Sequence, residues 1–291
     1  MAADRSVAIV PTLSYPAGEQ SALQPTGLYV DTHTNDVYVV DASTSRIAIY
    51  DADRQYNFEF STRDRLVSPR QVAVDAQGRI FVLGDTREHT LAVFDYNGEF
   101  LRYFDLTDGT ERLQPAGIAL DAQDQLHVLT TMPLQVHVFS ADAAPVRDYF
   151  VFTEGDSISR FNTIIGNFAI YADEIVLPFP VFGNVSCFDL TGKLTRSIGT
   201  AGGGPGELSF PIAGVPLKDG GFAIVDKHRH LVQFFRPDGR FEFEAGGAGL
   251  VAGWFFHPTS LVACADGTLL VGQTYGDRVQ ALAVQTASSG S

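Results

Sequence analysis

Three side chains of the 291-residue sequence have the types and spacing to do chemistry together: Asp226, His228 two positions on, and His257, which directly precedes Pro258. Two imidazoles and a carboxylate can hold a divalent metal and leave coordination positions open. Such an ion acidifies bound water or polarises a carbonyl, the chemistry of a metal-dependent hydrolase or lyase. The same pattern has a second reading. Asp226 occupies the place that Asp41 and Asp85 hold elsewhere in the chain, where a short acidic side chain accepts backbone hydrogen bonds of its own loop. His230 falls where Arg46 and Arg278 precede their strands, and reads as a packing residue. His127 and His137 fall on neighbouring strands and His33 in a turn, where sheet and turn roles suffice. Nucleophilic catalysis has no signature: there is no Gly-x-Ser-x-Gly elbow, and neither Cys187 nor Cys264 has a histidine partner in view. The run from Gly202 to Gly206 lacks the Lys-Ser/Thr and the helix of a phosphate cradle. No catalytic residue is assigned.

The elements that must position these residues repeat. Pro25, Pro69, Pro115, Pro211 and Pro258 lie 44, 46, 96 and 47 residues apart, which is one period with a single proline missing. Each proline opens a similar stretch of short β-branched and aromatic runs broken by glycine-containing turns, such as Gln77-Gly78, Asn97-Gly98, Asp219-Gly220, Asp238-Gly239 and Asp266-Gly267. No run has the length or the period of a helix. Six four-stranded antiparallel units without helical interludes specify an all-β fold, a six-bladed β-propeller in which each sheet buries both faces against its neighbours. The expected blades are 24–60, 69–105, 115–153, 161–199, 211–245 and 258–284, in one domain over 1–291. The sixth unit stops after three strands, so an N-terminal strand at 6–12 is expected to complete it and close the ring. The fourth unit, without its proline, is expected to begin with a strand at 164–169. Residues 285–291 read as a flexible tail.

The stretch Gly202-Gly203-Gly204-Pro205-Gly206-Glu207-Leu208-Ser209-Phe210-Pro211, followed by Gly220-Gly221-Phe222-Ala223-Ile224-Val225-Asp226 and Leu231-Val232-Gln233-Phe234-Phe235, resembles an NHL repeat. In that family a glycine-rich loop, a Phe-Pro pair, an Asp-Gly turn and a Val-x-Asp strand end form one blade. The first unit carries the same end as Val39-Val40-Asp41, with Arg46-Ile47-Ala48-Ile49-Tyr50 after it. The resemblance runs from about Gln24 to Val284 and implies the propeller. It implies no single activity, because proteins with this repeat range from partner-binding domains to lyases and hydrolases.

A formal net charge of −14 argues against a nucleic-acid partner, whose phosphates require a concentrated basic surface. Arg63, Arg65 and Arg70 form a local exception near the start of the second unit. No apolar stretch is long enough to span a bilayer. Nothing after Met1-Ala2-Ala3-Asp4-Arg5 reads as a signal peptide, though a secreted protein without its leader has the same look. A periplasmic or extracellular place is expected if an export signal has been removed, and a cytoplasmic one otherwise. Cys187 and Cys264 fall in non-adjacent units, so no disulfide is expected between them.

Function in a propeller concentrates where the loops between second and third strands meet the linkers into each first strand. Arg70, Phe179, Asp226, His228 and His257 fall there. In the fourth unit, Leu177-Pro178-Phe179-Pro180-Val181-Phe182-Gly183 puts apolar residues where a wet loop is expected, and Trp254-Phe255-Phe256 does the same before the sixth. Apolar residues in such loops mark a contact with something else or a wedge within the fold. The sequence thus favours a non-catalytic propeller that binds another protein through its loop face, as an interaction or accessory subunit, with Phe179, Phe182, Trp254 and Arg70 as contact residues. The alternatives are the metal enzyme, with a divalent metal at the channel mouth held by Asp226, His228 and His257, and a small-molecule or glycan binder that stacks its ligand on the aromatics.

Overall fold

The computed structural model describes residues 5–13, 24–86, 88–107, 111–151, 164–275 and 278–286. The expected end of the third unit, the expected start of the fourth and the tail beyond Thr286 fall partly or wholly outside these residues.

The described residues form six four-stranded antiparallel sheets and no helix, and so none that is long and apolar enough to cross a membrane. In the first blade the strands run Pro25–Val30, Val37–Asp41, Arg46–Tyr50 and Tyr56–Ser61, paired in that order from the channel outward. The fifth repeats this with Pro211–Pro216, Phe222–Asp226, Leu231–Phe235 and Phe241–Gly246. Middle strands are buried on both faces, as their unbroken apolar runs require, whereas an outer strand such as Pro145–Phe150 is largely exposed. Six apolar clusters fill the spaces between neighbouring blades, among them one joining the sixth blade to the first. In that last interface Val37, Val39, Ala48 and Tyr50 meet Val262, Leu270, Val279 and Ala281. Each fully buried large side chain contributes roughly 1.5–3 kcal/mol, so the ring rests on inter-blade burial rather than on one central core.

Closure is as expected. The N-terminal strand Arg5–Val10 lies antiparallel on Arg278–Thr286 and becomes the outer strand of the sixth blade, with Thr268–Gln273 and then Pro258–Ala263 following inward in the pairing order. Val7 faces Val284 and Ile9 faces Leu282 in register. Arg5 adds an ion pair to Glu242 of the fifth blade at 2.9 Å and another to Asp219.

The fourth blade differs from its reading. Its inner strand is the short Ala169–Tyr171, not a strand at 164–169. Gly166 and Asn167 instead donate their backbone N–H groups to Pro178 and to Ile212 of the next blade, which draws this stretch out of ordinary ladder pairing.

Because strands alternate in direction, the turns between first and second and between third and fourth strands share one face. Loops between second and third strands, and the linkers between blades, share the other. The first face is built on aspartates: Oδ1 of Asp51, Asp75, Asp95, Asp121 and Asp189 each accepts the N–H groups two and four residues on. The second face carries the candidate site.

Candidate functional site

Asp226 ends the second strand of blade five, opposite Pro211 in register. Its carboxylate is fully buried and fully used. Oδ2 accepts the N–H of Ser209 at 2.6 Å, and Oδ1 accepts those of Phe210, His228 and Arg229 at 3.1, 3.2 and 3.1 Å. Asp41 does the same in blade one, accepting from Ser43, Thr44 and Gln24. Burial works against the Asp41 charge, but those donors hold its carboxyl below the ordinary value. The repeated aspartate therefore ties a second-to-third-strand loop to the linker that enters its own blade. Asp85 departs from the pattern: it is half exposed and pairs with Arg70 at 3.0 Å. A pair so exposed is worth little to stability.

The histidines do come together, though not around Asp226. His257 donates its backbone N–H to Nδ1 of His230 at 3.1 Å, and the two rings meet edge to face at 4.9 Å. Phe256 stacks on His230 at 5.4 Å, and Tyr275 stands edge-on to both Phe256 and His257. His228, on the same loop as His230, stacks on Phe210 at 4.4 Å. Burial, then the neighbouring His257 and His228, push His230 below the usual imidazole value. Among the described residues no three His, Cys, Asp or Glu side chains are grouped so as to hold a metal ion.

His230 was expected to match Arg46 and Arg278. The pairing shows otherwise: Asp41 faces Arg46, Gln273 faces Arg278 and Asp226 faces Leu231, so Leu231 is the equivalent residue. His230 takes the place of Ser45, and the two share a left-handed backbone, with φ of 59° and 55°. That conformation belongs to the repeated turn; the imidazole is what blade five adds.

The apolar loop of blade four divides. Phe179 is 3% exposed and packs in the interface with blade three, while Val181 and Phe182 are 61% and 40% exposed. Trp254 is 48% exposed, whereas its neighbour Phe255 is fully buried. Hydrogen bonds join these loops across three blades. Arg229 Nη1 donates to the carbonyls of Gly204 and Glu207, Gly247 N–H to that of His230, and Arg278 Nη2 to those of Val251 and Trp254. Gly183, at φ +62°, lies where a Cβ would come within 2.4 Å of the Ala201 Cα, so the blade-four loop sits directly against the glycine-rich linker.

Beneath the loop face runs a central channel, a cavity of about 830 Å3 lined by the inner strands of all six blades. Two amides brace it. Gln71 of blade two accepts the Ile118 N–H of blade three and donates to the Phe168 carbonyl of blade four. Asn167 donates its side-chain amide from blade four to the Thr259 carbonyl of blade six, and the Thr259 hydroxyl reaches the Pro25 carbonyl of blade one.

Both cysteines are free, and burial pushes the Cys187 thiol up to about 12, outside the range of a reactive thiolate. His127 is buried between the Asp121 carboxylate, 3.0 Å from Nε2, and the Tyr149 hydroxyl, 2.7 Å from Nδ1. The reading of residue types missed Phe210, His230 and Tyr275. Phe210 and Tyr275 carried a usable signal, since each lies in the same loop set as His228 and His257.

No model of a known protein family matches the chain. Over 122 residues, 40% of this chain, it is 30% identical to Protein brain tumor of Drosophila melanogaster, and the match spans about a tenth of that relative's length, 11%. Among solved structures, an auxiliary nutrient binding protein from Bacteroides ovatus superposes with a TM-score of 0.72 at 15% identity, over 97% of this chain and 77% of that one. A streptogramin B lyase superposes with a TM-score of 0.62 at 12% identity, over 97% and 98% of the two chains. Likeness at such identity speaks for the fold alone.

Proposed function

We propose that this six-bladed β-propeller of NHL-type blades is a non-catalytic interaction module or accessory subunit that holds another protein on its loop face. The observation that carries this reading is the placement of exposed apolar side chains. Among the described residues fourteen large hydrophobic side chains are exposed, and nine of them lie on the loop face. Val67, Met132 and Ile164 serve blades two to four. Val181, Phe182, Leu250, Val251, Trp254 and Tyr275 concentrate over blades four to six. Tyr96 alone lies among the turns of the opposite face, and the other four are on outer strands.

Charge supports the same surface. In a chain of net charge −14, the described residues of the loops over blades four to six, 179–183, 199–210, 226–230, 246–257 and 273–275, contain two carboxylates, Asp226 and Glu207, and Asp277 of the last loop lies outside the described residues. Asp226 is buried under its four donors, and Glu207 accepts the Gly204 N–H at 2.8 Å. Exposed apolar side chains among few charged ones are what a protein interface presents before its partner arrives.

Photocrosslinking tests the reading. A photoreactive phenylalanine placed at Phe182 or at Trp254 in cells of the source organism is expected to give a covalent adduct with one and the same protein. The same probe at Tyr96, on the opposite face, is expected to give none. Adducts of equal yield from both faces, or none from the loop face, overturn it.

A further inference from the structure

We propose that the histidine and aromatic corner between blades five and six is the subsite that receives an acidic side chain of the partner, flanked by an apolar one. This rests on the loop-face reading above and names the partner's chemistry: a peptide segment with a carboxylate beside an aromatic or aliphatic residue.

Hydrogen-bond accounting carries the first part. His230 Nδ1 accepts the His257 N–H, so the proton of a neutral His230 ring sits on Nε2, which is left as a donor. The ring nitrogens of His228 and His257 make no hydrogen bond to the described residues. Three imidazoles on two adjacent loops thus offer N–H groups with no acceptor among the described residues. Lys227, which precedes His228 in the same loop, adds a partly buried cation to that loop.

The surrounding acceptors are already engaged. Asp226 is saturated by four backbone donors, and the exposed Glu207 and Glu244 each accept from one protein donor, the Gly204 N–H and Arg229 Nη2, both at 2.8 Å. Donors without acceptors favour a carboxylate from outside, since an ionised acceptor makes the stronger hydrogen bond.

The rings carry the second part. Phe256 and Tyr275 flank the His257 edge, Phe210 lies behind His228, and the half-exposed Tyr275 and Trp254 continue the corner into the apolar surface. An acid with an apolar neighbour places each group on its own complement. A free small anion would use only the donors.

Two blocked pentapeptides serve as probes, Ser-Glu-Phe-Glu-Ser and its glutamine counterpart Ser-Gln-Phe-Gln-Ser, followed through the histidine Cε1–H resonances of the intact chain. The glutamate peptide is expected to shift His228, His230 and His257 and to bind at least about fivefold more tightly than the glutamine peptide. His257→Phe keeps a ring at the corner and removes its nitrogens. It is expected to abolish the preference, with an unchanged far-ultraviolet spectrum as the folding control. Acetate, as a free carboxylate, is expected to bind more weakly than the glutamate peptide. Equal binding of the two peptides, no shift at these histidines, or a preference that survives His257→Phe overturns the proposal. If the Phe182 and Trp254 crosslinks persist while the peptide preference is absent, the subsite fails and the loop-face reading stands; loss of the crosslinks fails that reading itself.

Discussion

Gln71 donates its side-chain amide to the main-chain carbonyl of Phe168 at 2.7 Å, reaching from the second blade past the third to the fourth. The inner strand it passes carries Gly117, where a Cβ would come within 2.8 Å of the Phe168 side chain and 3.3 Å of the Gln71 amide oxygen. Glycine there leaves the passage open. With Asn167 and Thr259, this contact links inner strands that are not sequence neighbours, so the channel mouth is braced independently of the blade interfaces.

Replacing Gln71 by Ala leaves the Ile118 N–H and the Phe168 carbonyl without that partner. The expected loss is about 2 kcal/mol in urea unfolding, the cost of buried groups left unpaired. A variant within about 0.5 kcal/mol of the parent would show that water replaces the amide freely.

Asp226→Ala removes an acceptor of four backbone N–H groups, and we expect a loss of about 3 kcal/mol. Asp226→Asn keeps one acceptor oxygen and is expected to fall between the two. Equal stability of Ala and Asn variants by chemical denaturation would contradict a hydrogen-bonding role.

Deleting residues 1–13 removes the outer strand of the sixth blade and exposes the edge of Arg278–Thr286. The midpoint of thermal unfolding is expected to fall by about 10 °C or more, since each kcal/mol is worth roughly 2–4 °C in a domain of this size. A shift of a degree or two would mean that the strand contributes little to closure.

Phe179 and Phe182 sit three residues apart with opposite exposure. Phe179→Ala is expected to cost about 3–5 kcal/mol, as a buried ring does, whereas Phe182→Ser is expected to cost under about 1 kcal/mol and to remove the crosslink at this loop. Calorimetry of the two variants side by side checks the division.

His127 supplies a pH dependence. Burial pushes its imidazole below the ordinary value, with the Asp121 carboxylate pulling part of the way back. The unfolded chain then takes up the proton first on acidification, so this contribution is complete above the unfolded value of about 6.5 and is lost as the pH falls towards the folded one. His127→Gln is expected to be less stable at pH 7 and to show a flatter decline between about pH 7 and 5. Urea midpoints measured across that range decide it; a slope identical to the parent's would remove His127 as the cause.

The recurring prolines, the glycine turns and the short apolar runs determine the number of blades, because those features are local: each states where one strand begins or a turn must form. The missing outer strand of the sixth unit likewise pointed to residues near the N-terminus. Which aspartate binds what could be read from position for Asp41 and Asp226, whose partners lie in nearby backbone, but not for Asp85, where Arg70 competes for the carboxylate. Only the tertiary structure decided that Phe179 turns inward while Phe182 faces out, that His230 rather than Asp226 joins His257, and that Gln71 spans the channel mouth. The reason is physical: these contacts join residues 27 to 97 positions apart, and their geometry depends on how far one blade is rotated against the next, a quantity set by the packing of whole sheets and written in no single stretch of chain.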